Sequence, residues 1–349
     1  MARDGKGRRS TISDVAALAK VDRSVVSRLI NDDPRLNIRD TTRQRVLDAI
    51  EMLGYRPHAG ARSLRTARTQ TLGLLIPDFA NPVYAEIIKG AERAAAKVGS
   101  VLVTGSATGA GANTGVYLDL LGHGRVDGLL LAGGTMSASQ QDELARIRLP
   151  WLVINQAGPG KRRYIALDDQ KAAALAVTHL VGLGHRRIAH IGGPRGSDTA
   201  RRRRNGYLHA LRQAGLEPDP ALLVTAEYTP EGGAKAMTHL LQSSAPPTAV
   251  FVATVASAIG ALHAAYEMSI AIPAQVSVIA VHDLPLAASL IPPLTTVRMP
   301  LQHLGARAVE MLLDEDPNED IREVVSEPIE LVVRESTAAL GAGAGSARP

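Results

Sequence analysis

Five hydrogen-bonding side chains lie close together in the stretch Thr11–Asn31, which reads TISDVAALAKVDRSVVSRLIN. At helical spacing they share one face of a segment about two and a half turns long: Arg23, Ser24, Ser27, Arg28 and Asn31. An arginine fork can bond the acceptor edge of guanine, and hydroxyl and amide groups can bond base edges or phosphates. The alternative is a helix face that meets only solvent. These residue types at this spacing indicate a candidate contact with nucleic acid.

Three short helices are predicted around this polar face. Thr11 can cap the first, with Asp14 in a first turn where the helix dipole favours an anion. Asp22 can cap the second, and a turn-rich loop, NDDPRLNIRD, follows it. The third helix begins at Thr41 or its neighbour and stops at Gly54. Three small helices joined by tight turns are typical of a helix-turn-helix head.

The positive charge is concentrated in this first part of the chain. The first 70 residues carry 15 Lys and Arg against 8 Asp and Glu, whereas the remaining 279 carry 24 against 26. A basic head on a nearly neutral body favours a polyanionic partner for the head alone. A solvated basic terminus fits the charge equally well.

From Thr71 the pattern changes to short apolar runs rich in Val, Ile and Leu, such as TLGLLIPD, VDGLLLAG, RIAHIGG and VSVIAVHD. Amphipathic stretches of helical period lie between them. This alternation predicts parallel sheets covered by helices. Because residues 71–337 are too many for one small sheet, we expect two α/β lobes with a cleft between them.

The composition and the first residues of the chain indicate where in the cell the protein acts. The chain has no cysteine, which excludes disulfides and thiolate metal sites and suits a reducing compartment. The start, MARDGKGRRST, lacks the apolar region of a secretory signal, and no apolar run is long enough to span a bilayer. We therefore expect a soluble, cytoplasmic protein with no membrane partner.

Enzyme motifs have little support. The glycine-rich stretch GSATGAGANTG lacks the GK[ST] ending of a phosphate loop and the GxGxxG spacing, and no GxSxG motif is present. His179, His185 and His190 straddle a predicted helix, turn and strand, so we do not expect them to bind a metal together. We predict no catalytic residue, no metal and no cofactor.

Ten motifs, in a consistent order and spacing, resemble the LacI/GalR family of bacterial transcription regulators. They are TISDVA (11–16), VSRLIN (26–31), LGYRP (53–57), ARSLRT (61–66), LGLLIPD (72–78), NPVYAE (81–86), RVDGLLLA (125–132), GHRRIAHIGG (184–193), PPLTTV (292–297) and LVVREST (331–337). The resemblance implies an all-α helix-turn-helix head, a hinge helix and a periplasmic-binding-protein-like α/β core of two lobes. It also implies a homodimer that binds operator DNA in the cytoplasm, at the nucleoid.

The domain limits follow from this plan. We expect a disordered basic arm at 1–10, the DNA-binding head at 11–56, a hinge helix and linker at 57–70, the core at 71–337 and a flexible tail at 338–349. The N-lobe is predicted at 71–166 and 296–325, and the C-lobe at 167–295 and 326–337. The chain would then cross between the lobes near 166–169, 294–297 and 325–328.

The resemblance assigns DNA contacts by position. Arg23 and Ser24 match base-contacting residues, and Arg28 matches a residue that commonly contacts guanine. Ser27 and Asn31 suit backbone contacts or internal bonds. Leu64 matches the leucine that similar proteins insert into the minor groove, where it kinks the DNA, although a linker leucine that touches the core remains the alternative. The remaining predicted contacts are Thr11, Tyr55, Ala61, Arg62 and Arg65.

The resemblance also implies a small-molecule effector between the lobes. The predicted effector residues are Asp78, Tyr84, Asn155, Arg203, Tyr228, Val255 and Asp283. Thr254 and Val255 stand where the family usually has Asn-Asp, and Val281 and His282 stand where Phe and Asp are common. This makes one end of the cleft more neutral. A sugar or sugar derivative is the first expectation, and an anionic or aromatic metabolite is the alternative. A cleft without any effector would leave a constitutive repressor.

Two other classes are more distant alternatives. An enzyme with a fused DNA-binding head lacks a recognisable catalytic motif. A solute-binding transport receptor would not need the basic head, and it would require a signal peptide.

Overall fold

The computed structural model describes residues 10–31, 33–55, 68–106, 125–133, 146, 149–157, 163–314, 320–325 and 328–341. The chain divides into two units, Met1–Thr69 and Gln70–Pro349, which we call the head and the core and describe separately. No helix in the described ranges is both long and apolar enough to cross a membrane.

The described part of the head contains α1 (Ile12–Ala19), α2 (Arg23–Ile30) and α3 (Asp40–Met52). Thr11 and Asp14 form a capping box at the start of α1, because each side chain accepts from the other's backbone N–H. Lys20 ends this helix in the left-handed conformation, with a φ of 53°. The Asp22 carboxylate then accepts from Ser24 N at 2.7 Å and begins α2. The predicted helix-turn-helix is therefore built from two local caps and one tight turn.

A small apolar cluster holds the three helices together. Its buried members are Val15, Ala16, Ala19, Val26, Leu29, Val46 and Ala49. Because α2 contributes only Val26 and Leu29 to the buried set, most of its surface remains exposed. A helix of eight residues is marginal alone, so this packing is what stabilises it.

The first lobe of the core is built on a six-stranded sheet in which every neighbouring pair is parallel. Its order is β11-β5-β4-β3-β1-β2. The strands are β1 (Thr71–Ile76), β2 (Val101–Ser106), β3 (Gly128–Ala132), β4 (Trp151–Ile154), β5 (Arg163–Leu167) and β11 (Ile321–Val325). Helices α4 (Val83–Lys97) and α9 (Leu301–Asp314) pack against each other and onto this sheet.

The second lobe repeats the plan with the order β12-β10-β9-β8-β6-β7, and only β12 runs antiparallel to its neighbour. Its strands are β6 (Ile188–Gly192), β7 (Leu223–Thr225), β8 (Ala249–Val252), β9 (Ser277–Val281), β10 (Thr295–Arg298) and β12 (Glu330–Val332). Its helices are α5 (Asp169–Gly182), α6 (Asp198–Gln213), α7 (Pro230–Leu241) and α8 (Val255–Glu267). The central strands β8 and β9 are wholly buried, which explains their continuous apolar sequences.

In the part of the core that the structure describes, strands of the two sheets alternate along the chain in a way that requires three crossings between the lobes. The first crossing follows Leu167 at the end of β5, and the third lies between Val325 and Glu330. The second differs from the predicted 294–297, because β10 pairs with β9 as far as Val297 and with β12 as far as Arg298. These ladder bonds keep residues 295–298 in the second lobe, so the later segment of the first lobe begins after Arg298.

The predicted tail also differs at its start. Leu340 N donates to Leu183 O at 2.8 Å, and Ala338 N donates to the Ser277 hydroxyl at 3.1 Å. Residues 338–340 are thereby bonded to the second lobe. Residues 342–349 lie outside the described ranges.

Helices α7 and α8 meet almost backbone to backbone. A Cβ atom added at Gly260 would lie 1.7 Å from Pro230 O, and one added at Gly233 would lie 1.9 Å from Ser257 O. Neither atom can move without moving its helix, so both positions require glycine.

Replacing Gly260 by alanine is therefore expected to lower the free energy of unfolding of the core by about 1–3 kcal/mol or more, as overpacking does. Gly182→Ala is the matched control, because that helical position has no heavy atom within 4 Å of an added Cβ. The control should gain about 0.4–1 kcal/mol. Urea unfolding followed by circular dichroism measures both changes, and a neutral Gly260→Ala would contradict the close approach.

Candidate functional site

The exposed face of α2 carries the side chains that were predicted to contact bases. Arg23, Ser24 and Arg28 are exposed, whereas Ser27 and Asn31 are half-buried. Asn31 Nδ2 donates to the backbone O of Ser27, so the Asn31 side chain bonds the end of the helix internally. Arg28 Nε lies 4.0 Å from an Asp33 carboxylate that Arg35 already holds at 3.1 Å. The Arg28 guanidinium is only loosely held and can reach a partner outside the head.

The other predicted DNA contacts are placed differently. The Thr11 hydroxyl is half-buried and bonded within the capping box, where it donates to Asp14 Oδ2 at 2.7 Å. Tyr55 packs against the apolar cluster of the head, and its N–H donates to Ile50 O. Ala61, Arg62, Leu64 and Arg65 lie outside the described residues.

A cavity of about 740 Å³ lies between the two lobes, where the carboxyl ends of both sheets meet. This is the position at which parallel α/β sheets usually bind ligands. We call it the cleft. Its polar lining includes Asp78, Asn81, Tyr84, Asn155 and Gln156 from the first lobe, and Thr199, Arg203, Tyr228, Thr254 and His282 from the second. Five of the seven predicted effector residues are therefore brought together.

Arg203 forms the inner wall of the cleft and is 1% exposed. Its Nε donates to Asp169 Oδ1 at 2.7 Å, and its Nη1 donates to Ala253 O at 2.7 Å. Its Nη2 donates to His282 Nε2 at 3.2 Å. Burial opposes the charge, but Asp169, together with Tyr228 and Tyr84, raises the pKa of the guanidinium. Sequence patterns could not predict this ion pair, because Asp169 lies 34 residues earlier on another helix.

His282 is buried and neutral. Burial, and after it the charge of Arg203, lowers the pKa of His282 well below its ordinary value. Because an arginine can only donate, His282 Nε2 must accept and Nδ1 must carry the proton. His282 Nδ1 and Asn155 Oδ1 are both buried and have no partner in the described part of the chain. An unpaired buried donor and acceptor are costly, so the cleft presents two groups that a ligand can satisfy.

Two tyrosines complete the polar lining, one from each lobe. Tyr84 is buried, and burial raises the pKa of its hydroxyl, which therefore stays protonated. The Tyr228 hydroxyl lies 3.3 Å from Thr199 Oγ1. Two phenol hydroxyls on flat apolar rings can bond a polar ligand and pack against its ring face.

Val255 and Asp283 do not line the cleft. Thr254 caps α8 by accepting from Ser257 N, so Val255 becomes the first helical residue and is fully buried. Asp283 accepts from Thr296 at 2.8 Å and forms ion pairs with Arg298 and Arg334. In both places the preceding residue, Thr254 or His282, faces the cleft instead. The sequence does contain a signal for this choice, since Thr254 and His282 each lie closer to the end of the preceding strand than Val255 and Asp283 do.

The three histidines considered as metal ligands serve separate contacts. His179 bonds Thr337, His185 bonds Thr248 and Ser277, and His190 bonds Phe251 O. Among the described residues, no group of three His, Asp or Glu side chains could hold a metal ion.

Comparison with known proteins identifies the family. The model for bacterial regulatory proteins of the lacI family matches residues 11–58, and the model for a periplasmic binding protein-like domain matches residues 177–337. The ribose operon repressor of Haemophilus influenzae is 36% identical over 330 residues, which cover 94% of this chain and 98% of that repressor. The chain belongs to the LacI family. As a LacI-family protein it is a DNA-binding transcription regulator, and the predicted family and fold are confirmed.

Solved LacI-family structures match both units. The Lac repressor dimer bound to operator and the anti-inducer ONPF has a TM-score of 0.83 and 26% identity, covering 95% of this chain and 100% of that one. The complex of the transcriptional regulator CelR with cellobiose has a TM-score of 0.72 and 30% identity, covering 94% and 100%.

Replacing Arg28 by alanine is expected to weaken operator binding by about 1–3 kcal/mol and to relax preference at one base pair, since its fork would bond one base edge. Anisotropy titrations measure this on a duplex selected from a random library and on its single-base variants. Arg212→Ala removes the same charge from an exposed position on α6 and should change neither quantity. If Arg28→Ala lowered the affinity for selected and random DNA equally, Arg28 would contact a phosphate group and not a base.

The buried histidines predict a pH dependence of stability. Burial lowers the pKa of His179, His185, His190 and His282, so below about pH 6.5 the unfolded chain binds protons that the folded chain does not. The free energy of unfolding of the core should therefore fall between about pH 7 and pH 5.

His282→Gln keeps an acceptor for Arg203 but cannot titrate. It should reduce this slope by up to about 1.4 kcal/mol per pH unit. His263→Gln, at an exposed position on α8, is the control. Urea unfolding at pH 7, 6 and 5 gives the slopes, and an unchanged slope in His282→Gln would contradict a neutral His282.

Proposed function

We propose that this LacI-family regulator is a repressor that binds a near-palindromic operator as a homodimer and is switched by a sugar or sugar derivative in the cleft. Arg23, Ser24 and Arg28 contact base edges, and the hinge residues Ala61, Arg62, Leu64 and Arg65 contact the minor groove and backbone. Tyr84, Asn155, Arg203, Tyr228 and His282 bind the effector. The core acts as a receptor without catalysis, in keeping with relatives that are transcription regulators.

The effector proposal rests on the inner wall of the cleft. This wall is neutral in charge and contains two polar atoms that have no hydrogen-bond partner in the described structure. Arg202 and Arg203 are paired with Asp169 and Asp198, so the buried charges balance. Asn155 Oδ1 offers an acceptor and His282 Nδ1 offers a donor. A hydroxyl group both donates and accepts, and therefore fits this pair of atoms better than an anion, which has no proton to donate to Asn155 Oδ1.

Related proteins support the same ligand class. One matched structure is a complex with cellobiose, and one matched relative is named for the ribose operon. The neutral His282, at a position where an aspartate is common in the family, favours a sugar derivative with fewer hydroxyls on that side. Tyr84 and Tyr228 also favour an aromatic metabolite, which is the second candidate.

A homodimer is supported by exposed apolar side chains at one edge of the first sheet. Val98 is 55% exposed, and Val101 and Val103, on the edge strand β2, are 65% and 48% exposed. Valines placed along an edge strand are unfavourable in water and invite contact with another chain. The match to the Lac repressor dimer makes a second copy the natural partner, and a two-fold dimer requires a near-palindromic site.

The switch requires that the effector bind one lobe arrangement better than the other. A differential affinity worth about 1–3 kcal/mol is enough for a useful change in operator binding. The three crossing segments permit such a movement, since only they join the two lobes covalently in the described core.

The test is a thermal-shift screen of sugars, sugar derivatives, aromatic acids and nucleobases on the full chain. A sugar at about 100 times its Kd should stabilise the core by about 2.7 kcal/mol through mass action. Tyr228→Ala should weaken that sugar about tenfold or more through lost ring contact. Tyr266→Ala, at a 76% exposed position, is the control.

The sugar identified by this screen is then added to operator complexes, where the measured operator affinity should change in the unmodified chain and not in Tyr228→Ala. A response to aromatic acids alone would favour the second candidate. A sugar response that Tyr228→Ala retains would place the effector outside the cleft.

A further inference from the structure

A second cavity, of about 550 Å³, lies in the C-lobe on the other side of the loop at 194–197. We call it the arginine pocket. Three arginines line it, Arg195, Arg201 and Arg204, and no carboxylate is among its lining residues. Arg201 is paired with Asp198, whereas Arg195 and Arg204 are exposed and form no ion pair within the described ranges. The pocket therefore carries uncompensated positive charge at its rim.

The buried end of the arginine pocket is formed by His190, which is 2% exposed. Its ring is stacked on Phe251 at a centroid distance of 4.7 Å and on Tyr207 at 5.2 Å. Its Nδ1 donates to Phe251 O at 3.1 Å on β8, the strand on one side of β6. On the other side of β6 lies β7, whose Val224 and Thr225 line the pocket.

His190 lines the pocket, and its Nε2 is buried and has no hydrogen-bond partner in the described structure. A Cβ atom placed on the pocket-lining Gly192 would lie 3.3 Å from this nitrogen. Burial, followed by the nearby charges of Arg203 and Arg204, lowers the pKa of His190 to about 4. With its proton on Nδ1, the neutral ring presents an acceptor at the inner end of the pocket.

These features fit a ligand with an anionic end and a hydroxyl end. A phosphoryl group carries about −1.5 to −2 charges and three acceptor oxygens, which suits several guanidinium forks better than a single carboxylate. A hydroxyl group can donate to His190 Nε2. The volume lies within the range of small-molecule sites, about 300–1,000 Å³.

We propose that the arginine pocket binds a small phosphomonoester that also carries hydroxyl groups, with its phosphoryl group on Arg195, Arg201 and Arg204 and one hydroxyl on His190. Arg204 and His190 line only this pocket and Arg203 lines only the cleft, whereas Arg201 lines both cavities. The loop at 194–197 lines both cavities.

Calorimetric titration of the full chain with ribose 5-phosphate tests the proposal, with ribose and inorganic phosphate as the two halves of that probe. The ester should bind at one site per chain and more tightly than inorganic phosphate. Arg204→Gln should weaken the ester about tenfold or more, as expected for a lost charge-assisted hydrogen bond. Arg212→Gln, on the same helix and also exposed, should leave its affinity unchanged.

His190→Phe retains a ring between Tyr207 and Phe251 but removes the acceptor. It should weaken the ester and spare inorganic phosphate, and its melting temperature reports whether the fold is retained. Ester binding that survives Arg204→Gln, or that Arg212→Gln weakens equally, would overturn the site. Equal affinities for the ester and inorganic phosphate would overturn the hydroxyl contact. Because neither Arg204 nor His190 lines the cleft, a loss of ester binding in these two variants is distinguishable from a loss of sugar binding in Tyr228→Ala.

Discussion

The buried charge of Arg203 is the constraint around which the cleft is organised. A guanidinium that is 1% exposed must find its counter-ion and acceptors within the protein, because an unpaired buried charge is strongly destabilising. Asp169 at the start of α5, Ala253 after β8 and His282 after β9 supply them. Since these partners come from three separate elements, one side chain fixes how a helix start and two strand ends converge. The wall that results is polar in its groups and nearly neutral in its charge.

Helix α6, which carries Arg203, also bonds the two lobes to each other. Asp198 Oδ2 accepts from Ala157 N of the first lobe at 2.7 Å, and Arg202 Nη1 donates to Leu167 O at the first crossing. Arg203 follows directly and faces the cleft. A ligand that contacts Arg203 therefore touches the element whose neighbouring side chains hold the lobe arrangement. This gives a physical route by which an effector bound in the cleft can favour one arrangement of the lobes.

In the head, a very short helix must remain folded while one of its sides is exposed. Two caps satisfy the first N–H groups of α1 and α2, and a cluster of small and branched apolar residues supplies the rest of the stability. Because the helix depends on only two of its own buried residues, its remaining surface can carry Arg23, Ser24 and Arg28. The short length that makes α2 marginal alone is thus compatible with a groove-contacting role.

The sequence by itself determined the helix-turn-helix head, the two α/β lobes, the family and five of the residues that line the cleft. These depend on local signals, namely caps, periodicity, apolar runs and motif order, which act within a few residues. Only the tertiary structure decided that Thr254 and His282 face the cleft in place of Val255 and Asp283. A motif locates a strand end, whereas the cap of the following helix and the ion pairs of its neighbours decide which adjacent side chain points inward. The pairing of Arg203 with Asp169 and the stacking of His190 between Tyr207 and Phe251 likewise join elements that are far apart in the chain. A contact between such elements produces no local sequence pattern from which it could be predicted.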